Sequence, residues 1–61
     1  MKTYVRNNRQ QIIGYYISYS TAIYAYNSQN QYVGRFLITS NITLDSNGIL
    51  IGHGNHLRSL F

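Results

Sequence analysis

The chain has 61 residues, with five lysines and arginines, one carboxylate side chain at Asp45, and no cysteine or proline. A single carboxylate excludes the paired acid and base of glycosidases and aspartic proteases, and it supplies too few oxygen ligands for a Ca²⁺ or Mg²⁺ site. Without cysteine there is no disulfide, thiolate zinc site or redox motif. We therefore expect a protein that is not an enzyme and that holds no cofactor or metal ion.

Size and charge both indicate that the chain works with a partner. A domain of about 60 residues buries only roughly 60% of its unfolded surface, and scaffolds of this size usually need a disulfide, a metal or a partner chain. A homo-oligomer, or a complex with another protein, is the expected state. The formal net charge of +4 favours an anionic partner, which could be a nucleic acid, a nucleotide or the acidic face of a protein.

The longest uncharged stretch of the chain lies between Arg9 and Arg35. It is too polar for a membrane span, which needs about 20 predominantly apolar residues, and it lacks the clean apolar core of a signal peptide. We expect a single cytoplasmic domain over residues 1–61, without membrane contact.

Three segments of eleven residues, each ending in glycine, align without a gap. They are YVRNNRQQIIG at 4–14, YAYNSQNQYVG at 24–34 and ITLDSNGILIG at 42–52. Asn or Asp at the fourth position favours the start of a type I turn, and Gly or Asn three places later tolerates the positive φ that closes a bulged loop. Asp45 and Gly48 give the best copy, and Gln10 the weakest, because glutamine disfavours positive φ. The segments predict three β-hairpins.

The residues that flank these turns are rich in Tyr, Ile, Val and Thr, which fit a pleated surface, and no helical period runs through them. The predicted strands are 3–6, 11–19, 22–26, 31–38, 41–45 and 49–53. The second strand of each hairpin contains a glycine, and a glycine there is typical of a bend, a bulge or a close backbone approach. These glycines are Gly14, Gly34 and Gly52. Three unrelated strand glycines are the alternative.

An apolar pair precedes each of these glycines. Because neighbouring residues in a strand point to opposite faces, each pair makes both faces of its strand apolar; the pairs are Ile12-Ile13, Tyr32-Val33 and Leu50-Ile51. A lone sheet would have one polar face. We therefore expect an all-β fold in which three repeated hairpins form a small shallow barrel or curved sheet, with a partner on the outer face.

The hairpin pattern ends after Gly52, and the last residues form a short C-terminal apolar tail. Leu57, Leu60 and Phe61 are expected to fill a barrel end or a neighbour's groove, or else to dock on a separate partner. His53 and His56 lie three residues apart, but with Asp45 they make only three candidate ligands, whereas a zinc site needs three or four protein ligands with fixed spacing. We interpret both histidines as structural or partner-facing.

The repeated order of an apolar start, Asn or Asp, two residues, a turn residue, an apolar pair and Gly resembles a group of small bacterial proteins described as the 4-fold beta-flower type. Their hairpins splay like petals from a shallow barrel. The closing GHGNHL at 52–57 is similar to the final stretch of some of these proteins. This chain has three units where the group has four, and Gln10 stands where a turn glycine is expected. The resemblance implies a fold and no particular activity.

Seven tyrosines offer a surface that could pack against a protein or stack on bases. We favour a protein interface, because the tyrosine-rich stretch 15–26 holds no cation. The predicted partner-binding residues are Tyr15, Tyr16, Tyr32 and Arg35.

The leading hypothesis is thus a non-enzymatic binding module, an oligomeric inhibitor or accessory protein of a phage or other mobile element that acts by protein–protein contact. The alternative is a binder of single-stranded nucleic acid or a nucleotide, through a tyrosine-lined surface whose anion-binding residues are Lys2, Arg6 and Arg9. A third possibility is a purely structural, self-assembling subunit.

Overall fold

The computed structural model describes residues 1–61 and contains one antiparallel sheet followed by a short 3-10 helix. Each strand is hydrogen-bonded to its neighbour in chain order, so the sheet is a six-stranded meander. The all-β prediction is confirmed, and each predicted strand boundary lies within one residue of the observed one. The strands are β1 (Lys2–Arg6), β2 (Ile12–Ser18), β3 (Ala22–Asn27), β4 (Tyr32–Leu37), β5 (Ile42–Asp45) and β6 (Leu50–His53), and the 3-10 helix spans Leu57–Leu60.

The sheet is open, with β1 and β6 as its two edges. The barrel offered as one form of the predicted fold is therefore wrong for the single chain. The barrel was inferred because both faces of the second strands are apolar and need cover. In the structure the C-terminal tail covers one face, whereas on the other face tyrosine rings pack against one another. The tail lies on the sheet and does not fill a barrel end.

The three hairpin turns share one hydrogen-bond pattern. In the first turn, Asn7 Oδ1 accepts bonds from the backbone N–H groups of Arg9 at 2.8 Å and Gln11 at 3.1 Å. The same side-chain bonds join Asn27 to Gln29 and Gln31, and Asp45 to Asn47 and Ile49. The residue that closes each turn has positive φ, and these residues are Gln10 (64°), Asn30 (66°) and Gly48 (80°).

A register shift of one residue precedes the glycine of each second strand. Val5 pairs with Gly14 and Arg6 pairs with Ile12, so Ile13 has no partner in β1. Equivalent shifts in β3–β4 and β5–β6 leave Val33 and Ile51 without a cross-strand partner. An extra residue bends its strand and increases the local twist, so the predicted bulges are present beside these glycines.

The glycines also allow the C-terminal segment, residues 56–61, to lie close to the sheet. A Cβ at Gly14 would clash with the Phe61 ring, and a Cβ at Gly34 would clash with the Leu60 side chain and lie 2.6 Å from the Leu44 carbonyl oxygen. The close approach buries a small core of Ala25, Phe36 and Leu57, with partly buried Tyr16, Ile23, Val33, Leu60 and Phe61 around it.

Thr43 fixes the path of the chain between β6 and the C-terminal segment. Its side chain is fully buried, and its hydroxyl donates to the Gly54 carbonyl at 2.7 Å and accepts from the His56 N–H at 2.9 Å. The buried hydroxyl therefore both donates and accepts a hydrogen bond. The chain turns under the sheet at this point, toward β4.

In the first turn, Gln10 has a positive φ, which is unfavourable for a residue with a Cβ. A left-handed backbone costs roughly 1–2 kcal/mol for a residue with a Cβ, whereas glycine adopts it freely. We expect Gln10→Gly to raise the free energy of unfolding by about 1 kcal/mol, measured by urea denaturation. Asn8→Gly, in the same turn but at negative φ, is the control and should not stabilise. Equal effects of the two substitutions would contradict this explanation.

The glycine contacts predict a graded loss of stability. Gly34→Ala should lower the free energy of unfolding by about 2 kcal/mol or more, because its methyl group meets a backbone oxygen that cannot move without shifting β5. Gly52→Ala is the matched control, since its Cβ would meet only the His56 ring, at 3.2 Å. Its effect should be below about 1 kcal/mol. Similar losses for both variants in chemical denaturation would show that the tail does not pack as described.

Candidate binding surface

One face of the sheet carries a continuous row of tyrosine rings, and we call it the tyrosine face. Register explains the row, because Tyr4, Tyr15, Tyr26 and Tyr32 are successive cross-strand partners in β1–β4. Neighbouring ring centroids along the row are 5.2–6.4 Å apart, within the range of favourable aromatic pairs. In order along the row, its members are Tyr4, Tyr15, Tyr26, Tyr32, Tyr24 and Tyr19.

Two cations lie on the tyrosine face. The Lys2 Nζ is 5.2 Å from the Tyr4 ring centroid and 4.3 Å from that of Tyr15, which is cation–π distance. Arg35 is the cross-strand partner of Tyr24 and Leu44, and its buried Nε has no hydrogen-bond partner in the chain. The rings are thus flanked by positive charge from β1 and from β4.

The apolar surface continues past the tyrosines toward the β6 edge. Leu44 and Leu50 are cross-strand partners on the same face as Arg35. Leu50 is 51% exposed, and its neighbours Ile49 and Ile51 are 60% and 42% exposed. An exposed apolar area next to aromatic rings is typical of an interaction site.

The structure brings three of the four predicted partner-binding residues together. Tyr15, Tyr32 and Arg35 lie on the tyrosine face. Tyr16 lies on the opposite face, where its ring packs edge-on against Phe61 with centroids 5.9 Å apart and borders the core. Neighbours in a strand cannot share a face, so Tyr15 and Tyr16 belong to different surfaces.

The three predicted anion-binding residues do not form one groove. Lys2 lies over the tyrosine rings. The Arg6 guanidinium donates to the Gln10 carbonyl at 3.3 Å, within its own hairpin. Arg9 borders a different surface depression, together with Arg58. The cations separate because β1 directs Lys2 to one face while the turn directs Arg9 to the end of the sheet.

Crowding of the rings alters the acidity of one phenol in the row. Burial raises the pKa of Tyr26 above its ordinary value, and the neighbouring phenols, chiefly Tyr19 and then Tyr15, raise it further because a phenolate beside them would be repelled. On the opposite face, burial raises the pKa of Tyr16, with Arg58 acting weakly in the other direction. Both shifts favour the neutral phenol over the phenolate.

The histidines and the single carboxylate have structural contacts. His56 Nε2 lies 2.6 Å from the His53 carbonyl oxygen, and Asp45 accepts two backbone bonds in the third turn, which is closed by Gly48. No group of three or more His, Asp or Glu side chains comes together where it could hold a metal ion.

Sequence reasoning missed several members of the tyrosine face. Strand alternation could have grouped Tyr24 and Tyr26 on one face of β3, but the pairing of β3 with β2 and β4 was needed to align them with Tyr15 and Tyr32.

No protein-family profile, curated protein or solved structure matches the chain. None of its helices combines the length and apolar character that a membrane crossing requires.

The raised pKa of Tyr26 can be measured directly. We expect the difference between the phenolate absorbance titrations of wild type and Tyr26→Phe to have its midpoint above pH 10, the ordinary value for tyrosine. The same difference measured in urea is the control, because the unfolded phenol should titrate at about pH 10. Identical midpoints in the folded and unfolded chains would contradict the packed row.

Proposed function

We propose that this chain is a non-enzymatic binding module that contacts another protein through its tyrosine face. The observation that carries the proposal is the row of six tyrosines left uncovered on one face, while the C-terminal segment covers the other. Tyrosine supplies a large contact area at low conformational entropy, and tyrosine and arginine are enriched among the residues that dominate interface energies.

The charges on this face select an acidic partner. Lys2 and Arg35 are positive, and the single carboxylate side chain, Asp45, is bonded within its turn. The Arg35 Nε–H is buried without an acceptor, and an unpaired buried donor is costly. A carboxylate of the partner would pair with the Arg35 guanidinium, and a rotation of the side chain would bring its Nε–H within reach of that carboxylate.

Self-association belongs to the same proposal. Only five apolar side chains are buried in the single chain, namely Val5, Ala22, Ala25, Phe36 and Leu57, which is a small core for an independent domain. The open edges β1 and β6 also leave backbone groups unpaired.

Three repeated units of beta-flower type, and a role as an inhibitor or accessory protein of a mobile element, remain predictions from the sequence.

The protein-binding proposal predicts a selective loss on substitution of Arg35. The chain is immobilised and exposed to a nuclease-treated lysate of its source cells, and the retained proteins are quantified by mass spectrometry. A discrete acidic protein should be retained by wild type and be depleted about thirtyfold by Arg35→Ala, as for an interface residue worth about 2 kcal/mol.

Arg58→Ala is the matched control, because it removes the same charge from the opposite side of the sheet. It should retain the protein as wild type does, and thermal unfolding should show that both variants are folded. Equal retention by wild type and Arg35→Ala would remove the tyrosine face from the proposed function.

A second candidate function, binding of single-stranded nucleic acid or a nucleotide, is favoured by the position of Lys2. The tyrosine-rich stretch itself contains no cation, but β1 places Lys2 over two rings and β4 places Arg35 beside Tyr24. Rings interleaved with cations form a stacking platform that accepts bases without sequence preference.

Salt dependence tests this second function. Each phosphate neutralised on a single strand contributes about −0.7 to the slope of log affinity against log salt, so contacts from Lys2 and Arg35 predict a slope of about −1.4. Fluorescence polarisation with labelled oligothymidylate measures it, and Tyr26→Ala should weaken binding at every salt concentration. A flat salt dependence, or unchanged binding by the variant, would exclude this function.

A further inference from the structure

A polar depression lies where the turn of the first hairpin meets the C-terminal 3-10 helix. Its volume is about 350 Å³, and no apolar residue lines it. The lining residues are Asn7, Asn8, Arg9, Gln11 and Arg58. It is separate from the tyrosine face, because Arg58 belongs to the helix that covers the other side of the sheet.

The depression collects positive charge without a counter-charge. Two of the five lysines and arginines in the chain line it, and no carboxylate side chain does. The only acidic side chain, Asp45, lies in the third hairpin turn, where two backbone N–H groups occupy its carboxylate. Two arginines that line one depression repel each other, and an anion bound between them would attract both.

The hydrogen bonds around the depression hold its frame and leave the guanidinium groups for a ligand. Asn7 accepts from the backbone N–H groups of Arg9 and Gln11, and its Nδ2 donates to Gln11 Oε1 at 3.0 Å. Arg58 is held through its carbonyl, which accepts from the Phe61 N–H. In contrast, the guanidinium of Arg6 is already engaged by the Gln10 carbonyl.

We propose that the depression formed by Arg9 and Arg58 binds a phosphate monoester dianion. Guanidinium groups present paired N–H donors that match phosphate oxygens. A monoester carries a charge of about −1.5 to −2 at neutral pH, with a second pKa of about 6, and this charge matches two arginines. A phosphodiester carries a single charge and matches them less well. The site does not depend on the tyrosine face or on its partner.

The test is a titration of the full-length ¹⁵N-labelled protein, followed by its backbone amide and arginine Nε–H signals. Inorganic phosphate is the probe, with sodium chloride adjusted to keep ionic strength constant. Saturable shifts should centre on Asn8, Arg9 and Arg58. Dimethyl phosphate, a singly charged diester, should bind about tenfold more weakly, and inorganic phosphate itself should bind more weakly as the pH falls below its second pKa, where the dianion becomes a monoanion.

Single substitutions test whether Arg9 and Arg58 are the residues that bind phosphate. Arg9→Gln and Arg58→Gln should each weaken phosphate binding about tenfold, which corresponds to the loss of one charge-assisted contact. Arg6→Gln is the matched control, because it lowers the net charge equally but removes a guanidinium that is bonded to the Gln10 carbonyl and does not line the depression, and its affinity should equal that of wild type. Equal weakening by all three substitutions, or shifts that sodium chloride reproduces, would overturn the proposal.

Two further probes identify the source of the phosphate group. Adenosine monophosphate carries the monoester on a small molecule, and a 5′-phosphorylated oligothymidylate carries it on the end of a nucleic acid. Tighter binding of either probe by wild type than by Arg58→Gln supports the site, and the tighter of the two indicates the source. Binding of both probes that is unchanged in Arg58→Gln would count against it.

Discussion

The contact between the C-terminal segment and two glycines decides how the rest of this molecule is organised. Phe61 and Leu60 lie against the sheet where Gly14 and Gly34 have no Cβ, and any larger residue at either glycine would meet both a side chain and a backbone oxygen. A single sheet needs a second layer to bury its apolar face. The segment supplies the missing layer over Ala25 and Phe36, and it thereby determines which sheet face stays free.

The free face becomes a distinct surface because of strand register. The hairpins β1–β2 and β3–β4 are each shifted by one residue, whereas β2 and β3 pair without a shift. This arrangement aligns tyrosines across four strands, and the rings cover one another in place of a packed second layer. Such a face has apolar area, hydroxyl donors and cations, which are common features of protein interfaces. The proposed phosphate site at Arg9 and Arg58 lies apart from this face.

Local features of the fold could be predicted from the sequence, and features that depend on distant pairing could not. The turns at Asn7, Asn27 and Asp45 follow from side-chain chemistry within five residues, and even Gln10 adopts the positive φ that its position in the repeat requires. The placement of Tyr16 on the covered face depends on where Phe61 lies. The barrel expected from the sequence is absent for the same reason. The C-terminal segment covers the apolar sheet face that was expected to be covered by a closed barrel or by a partner.

Nuclear Overhauser effects in the isotopically labelled chain test the central claim most directly, namely that the C-terminal segment covers the glycine face and leaves the tyrosine face free. The account predicts effects between the Phe61 ring and the Gly14 Hα protons, and between the Leu60 methyl groups and the Gly34 Hα protons. It predicts none between this segment and the Tyr26 ring. Effects from Leu60 or Phe61 to Tyr26, with none to the glycines, would place the segment on the wrong face and contradict the account.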